Sequence, residues 1–175
     1  MGQDNKGKVM EVFYEFPEKV FTVREIVKVS GVARATAHKI LVELKKDGMV
    51  EKDGRASWNR LFLTRKVNYH VEKIVASGLI DFLVERFNPS AIVLFGSVSR
   101  GDSVKESDVD IFIEAAVDNS DEVLMKLDLK KFEKKIGHSV ELFLENRVID
   151  LKKKNPHLFN NVVNGVKLYG VFDLK

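Results

Sequence analysis

The feature that most constrains this chain is the segment IVLFGSVSRGDSVKESDVDIFIE, residues 92–114. An apolar run, Ala91–Phe95, delivers the chain to Gly96-Ser97, and ten mostly polar residues later Asp108-Val109-Asp110 opens an alternating stretch. The run predicts a strand buried on both faces. Gly96 lets a ligand approach the backbone closely, and residues 97–100 predict a short helix whose free N–H groups attract phosphate. In SDVDIFIE a period of two sets Val109, Ile111 and Ile113 on one face and Asp108, Asp110, Phe112 and Glu114 on the other. Two carboxylates thus point the same way. Like charges side by side weaken a sheet unless a cation lies between them, and magnesium suits an all-oxygen donor set. A further acid stands in HSVELFLEN, where Val140, Leu142 and Leu144 share one face and leave Glu141 with Phe143 on the other. Glu141 either completes the carboxylate set or protects an exposed edge strand.

With 175 residues the chain can form two small domains, and its front part reads differently from the rest. Val9, Val12, Phe13 and Phe16 share one helical face that Pro17 stops. Thr22 and Glu25 form a capping box opening a second helix through Ile26, Val27 and Val29, which Gly31 ends. Ala37, Ile40, Leu41 and Leu44 make a third apolar stripe, closed by Lys45, Lys46 and Gly48. MVEKDGRASWNRLFLT then reads as a hairpin about Asp53-Gly54, with Trp58 packing in it. Residues 1–66 hold 14 Lys/Arg against 9 Asp/Glu, whereas residues 67–175 hold 15 against 17. A basic front half suits a phosphate backbone, and equally a solvated surface.

Beyond it, Val67, Val71, Ile74, Val75, Leu79, Phe82 and Leu83 predict one buried seam on a long helix over residues 66–88, ended by Pro89 and joining the two parts. Asp102, Ser103, Lys105 and Glu106 read as solvated loop residues. Ser107 either orients a carboxylate or starts the strand. Residues 121–136 predict a connecting helix whose KKFEKK cluster is a solvated face, and the basic run at 151–157 names no ligand. The chain has no cysteine, which excludes zinc-thiolate and cysteine-nucleophile chemistry. A polar start and the lack of any apolar run near the roughly 18 residues of a membrane span predict no membrane partner and a cytosolic setting.

Three short helices with a glycine turn before the third, then a hairpin, resemble a winged helix-turn-helix domain over about residues 6–65. The resemblance implies a third helix entering the major groove of DNA, with Arg34, Ala35, His38 and Lys39 facing it and Arg55 and Arg60 on the wing. A module that forms a homodimer or holds a protein is the alternative. Gly96-Ser97, ten residues, then Asp108-Val109-Asp110 resembles the signature of the DNA polymerase beta-like nucleotidyltransferase superfamily, in its minimal nucleotidyltransferase branch. The segment is no Walker loop, since no Gly-Lys-Ser/Thr follows.

That resemblance implies transfer of a nucleoside monophosphate from a nucleoside triphosphate, ATP by preference, to an acceptor hydroxyl. Gly96, Ser97 and Arg100 would bind the nucleotide, Arg100 alternatively forming a salt bridge. Asp108, Asp110 and Glu141 would be the catalytic acids and hold two Mg2+ ions; the third acid is often aspartate, so glutamate is a departure. The expected architecture is α+β, with a winged helix-turn-helix in residues 1–66 and, in residues 67–175, a nucleotidyltransferase fold with a mixed β-sheet flanked by helices. Two other readings stay open: a transcription regulator whose second domain senses nucleotide or is inert, and an antitoxin-like partner of a HEPN-domain protein.

Overall fold

The computed structural model describes residues 5–118 and 120–172; the polar start at residues 1–4 lies outside the described residues. The chain divides into two compact units, Met1–Lys66 and Val67–Lys175. The first begins with three helices, α1 (Asn5–Glu15), α2 (Val23–Ser30) and α3 (Arg34–Lys46). At α2 the capping box forms, Glu25 N–H donating to Thr22 Oγ1 and Thr22 N–H to the Glu25 carboxylate at 2.9 Å. Gly31 ends α2 in the left-handed conformation, φ 69°, which leaves three residues before α3 starts. Ala37, Ile40, Leu41 and Leu44 are buried, so the opposite side of α3 faces solvent.

The hairpin is shorter than expected. Among the described residues its pairing reduces to a bridge between Val50 and Ala56, flanked by Glu51 N–H to Arg55 O at 2.8 Å and Ser57 N–H to Met49 O at 3.0 Å. Residues 60–64 are helical instead, opening α4 (Arg60–Ser77), because Asn59 Oδ1 accepts the Phe62 N–H at 2.9 Å. Phe62 is buried 5.4 Å from the Tyr14 ring. A short run rich in β-favouring residues was outweighed by a cap and a buried ring.

The long helix over 66–88 is likewise two helices, α4 and α5 (Leu79–Phe87). Gly78 stands between them at φ 84°, and the Ser77 hydroxyl accepts the Leu79 N–H while donating to Ile74 O at 2.6 Å. Ile74, Leu79 and Leu83 are buried, but Val75 is 53% exposed. Lys66 and His70 are buried on α4, the Lys66 ammonium lying 5.7 Å from the centre of the half-exposed Trp58 ring. The buried stripe therefore runs Phe62, Lys66, His70, Ile74, a spacing the apolar residues alone do not reveal.

The second unit is a mixed four-stranded sheet with helices. In chain order come β1 (Ala91–Phe95), α6 (Gly96–Arg100), β2 (Val109–Glu114), α7 (Ser120–Met125), α8 (Lys130–Ile136), β3 (Val140–Glu145), α9 (Val148–Lys154), α10 (Pro156–Val163) and β4 (Val166–Gly170). The strand order is β3-β2-β1-β4, with β2 and β3 parallel and the other pairs antiparallel. The single helix expected over 121–136 is thus split into α7 and α8. On one face Val109, Ile111 and Ile113 pack with Ile92, Leu94 and Leu83; on the other Phe112, Val93 and Phe95 pack with Val148, Leu151 and Val162 of α9 and α10. Buried Glu114 ties these layers, its carboxylate accepting Ser90 Oγ–H at 2.7 Å and the Val148 N–H at 2.9 Å. Among the described residues no helix is long and apolar enough to cross a membrane.

Gly165 leads into β4 where a β-carbon would overlap the Leu94 carbonyl oxygen and lie 2.6 Å from Val93 Cγ1. Backbone cannot yield as a side chain can. Gly165→Ala is expected to destabilise the protein by about 1–3 kcal/mol, as overpacking does, read from urea denaturation midpoints.

Candidate functional site

β1 ends at Phe95, which pairs with Asp110 of β2, and Asp110 in turn pairs with Glu141 of β3. The turn after β1 therefore opens beside Asp110, with Glu141 one strand further out. Gly96 begins that turn at φ 70°, and a β-carbon there would overlap Asp110 Oδ2. Glycine is required twice over, by conformation and by space. Ser99 Oγ–H donates to Gly96 O at 2.8 Å, and Ser97, half-buried at the second position of α6, accepts the Asp102 N–H through its carbonyl at 3.2 Å.

The electrostatics follow from this register. Burial holds the Asp110 carboxyl above its usual range; the negative charges of Glu141 and Asp108 push it the same way, and Arg100 opposes them. Gly96, Arg100, Asp108, Asp110 and Glu141 thus lie in one electrostatic neighbourhood. Asp108 and Glu141 are exposed and Asp110 half-buried. Arg100 Nε–H donates to Asp102 Oδ2 at 3.0 Å, with both side chains about half exposed, so this pair adds little stability.

The loop between the two motifs is more built than a solvated loop. Ser103 is buried and Lys105 Nζ donates to Gly137 O at 3.2 Å. Ser107 accepts the Val104 N–H on its hydroxyl at 2.9 Å, closing a turn before the strand. Its carbonyl lies 3.0 Å from Nδ1 of His138, a buried residue that also meets the His70 ring at 5.2 Å between centres. His138 went unread in the sequence, since its contact joins segments 31 residues apart. In the KKFEKK cluster Phe132 is buried and Lys135 Nζ donates to Ser77 O, so that helix is only partly a solvated face.

Among the described residues no three His, Cys, Asp or Glu side chains form a metal cluster. The donor chemistry of Asp108, Asp110 and Glu141 nevertheless fits a hard divalent cation: all are oxygen donors, and Asp110 already feels the other two as repulsion.

In the first unit Arg34, Ala35, His38 and Lys39 are all exposed on the early turns of α3. Arg34 and Lys39 have no carboxylate partner among the described residues. Other cations there do: Lys6 binds Asp47 at 3.1 Å and Lys19 binds Glu25 at 3.4 Å. Arg55 is one of the paired cations, 3.7 Å from Asp53, whose carboxylate also accepts the Arg55 N–H. Arg60 is not on the hairpin but is the first residue of α4, for the capping reason given above.

The Polymerase beta, Nucleotidyltransferase family matches residues 78–171, and the IclR helix-turn-helix domain matches residues 7–54. No curated protein matches the chain. The first match spans more than half of the chain, which belongs to the Polymerase beta nucleotidyltransferase family and carries an IclR-type helix-turn-helix, a DNA-binding domain, ahead of it. Members of that family typically use Mg2+ and a nucleoside triphosphate.

The raised Asp110 pKa sets a sign for stability. Its proton is bound more tightly in the folded state, so stability falls as pH rises through the ordinary carboxylate value of 3.8 to the folded value. Asp110→Asn is therefore expected to melt higher than wild type at neutral pH, with the difference vanishing below pH 3.8. Excess magnesium should raise the wild-type melting temperature and leave the variant's unchanged, as differential scanning calorimetry would register.

Proposed function

We propose that this protein is a magnesium-dependent nucleotidyltransferase that moves a nucleoside monophosphate from a nucleoside triphosphate, ATP by preference, onto an acceptor hydroxyl, and that its helix-turn-helix brings this activity to DNA. The observation that carries the reading is the register of Phe95, Asp110 and Glu141 across three adjacent strands, which sets the Gly96 turn against Asp110, with Asp108 near enough to repel it. It supports a phosphate-approachable turn beside a carboxylate set.

In this reading Asp108, Asp110 and Glu141 hold the magnesium, which when bound neutralises phosphate charge and lowers the pKa of the attacking hydroxyl. Gly96 lets the triphosphate come against the backbone, and Ser97 offers a hydroxyl and an N–H beside it. Arg100, held near the site by Asp102, supplies a positive charge for the leaving pyrophosphate. The acceptor oxygen bonds to the α-phosphorus, the bond from that phosphorus to the bridging oxygen breaks, and pyrophosphate departs with the electron pair. Glu141, on the exposed edge strand, draws the acceptor's proton away. The chain's task is positioning and charge compensation rather than covalent chemistry. A cytosolic setting accords with the lack of cysteine.

The exposure of Glu141 favours a second reading, in which the domain binds nucleotide without turnover and the helix-turn-helix responds as a regulator.

Asp108→Asn and Asp110→Asn should each abolish transfer from labelled nucleoside triphosphate into any component of a lysate of the source cell, with the fold retained by circular dichroism. Glu141→Gln is expected to slow single-turnover transfer on the order of a hundredfold while keeping nucleotide affinity, and Glu141→Asp to keep much of the rate. Wild type that binds nucleotide but labels nothing would move the assignment to the regulator.

Arg34→Ala with Lys39→Ala should weaken duplex binding by the full chain and flatten its salt dependence, each lost phosphate contact lowering the log-log slope by about one. Unchanged affinity and slope in anisotropy titrations would remove α3 from the DNA interface.

A further inference from the structure

Val23 is the first residue of α2, whereas Arg34, Ala35 and His38 lie in the first turns of α3. These four line one open cavity of about 550 Å³, large enough for the edge of a base. Two of them, Val23 and Ala35, have no polar side-chain atom. They form an apolar wall beside the polar Arg34 and His38 of the same cavity. The surroundings nevertheless suit a polyanion, since Arg34 and Lys39 stand exposed with no carboxylate partner among the described residues, while Lys6, Lys19 and Arg55 are ion-paired.

The apolar wall that Val23 and Ala35 give this cavity discriminates among bases in one way. Guanine, cytosine and adenine present hydrogen-bond donors and acceptors in the major groove, and thymine adds an apolar C5-methyl group. Neither Val23 nor Ala35 can satisfy the former. Both can bury the latter.

We propose that the cavity between Val23 and Ala35 receives the C5-methyl group of a thymine in the major groove, with Arg34 and Lys39 anchoring the flanking phosphates. This rests on the reading of residues 7–54 as DNA-binding. Val23 then becomes a specificity-determining residue contributed by α2 rather than by the helix that enters the groove.

The test begins with selection of duplexes from a random pool by the full-length protein. Each thymine of the enriched site is then replaced in turn by deoxyuridine, which deletes the methyl group and nothing else. Anisotropy titration should find a thymine whose replacement weakens wild-type binding about fourfold, the scale of one buried methyl group. Val23→Thr keeps the side-chain shape but puts a hydroxyl in place of one methyl group, and should bind the two duplexes alike. Indifference of the wild type to every deoxyuridine, an enriched site without a required thymine, or a Val23→Thr variant that keeps the difference would each overturn the proposal while leaving DNA binding intact. Failure to bind any duplex would overturn both.

Discussion

The pairing of Asp110 with Phe95 on one side and Glu141 on the other is the constraint from which the rest of the nucleotidyltransferase unit follows. It sets the Gly96 turn against a carboxylate so closely that no side chain fits there. It also places a second acid in the adjacent strand, and the combined effect of burial and like charge is a carboxyl held above its usual range. A slip of one residue would exchange the two faces of β2, turning Ile111 toward α9 and α10 and Asp110 into the core beside Leu83. Such a slip is opposed by the apolar packing of Val109, Ile111 and Ile113, so the hydrophobic core enforces an electrostatically unfavourable arrangement. That stored repulsion is what a divalent cation would relieve.

The helix-turn-helix unit applies a related logic with the opposite sign. Most of its structure is secured by short-range devices: the Thr22–Glu25 capping box, the left-handed Gly31, the Asn59 cap of α4. Within that frame several cations are neutralised by nearby carboxylates, but Arg34 and Lys39 are left exposed on α3. Charge left uncompensated on an ordered surface is available to a ligand. Acid gathers in one unit, and base is left open in the other.

Much of this was readable from local pattern. The buried strand at 91–95, the alternation in β2 and β3, the capping box and the apolar stripe of α3 each depend on residues within one turn or one strand, where side-chain direction follows directly from period. The errors arose where a distant partner, or a local cap or glycine that periodicity ignores, decided. LFLT at 61–64 favours a strand by composition, yet the Asn59 cap and burial of Phe62 against Tyr14 made it helical, taking Arg60 off the wing. Gly78 broke a helix that periodicity ran straight through, and Lys66 and His70 took buried positions that hydrophobicity assigned elsewhere. In the loop before β2, Ser103 reads as a solvated residue and is buried.

By itself the sequence determined which residues could do chemistry and on which face each would lie, because the spacing of Gly96, Asp108, Asp110 and Glu141 is tied to the two-residue period of strands. Only the tertiary structure decided that these residues come together. Strand order and register are long-range choices, made by how two hydrophobic faces pack against helices far away in the chain, and no local pattern records that β1 and β3 flank β2. The cavity shared by Val23 and Ala35 has the same origin: twelve positions apart in the chain, they meet because a left-handed glycine turns α3 back across α2.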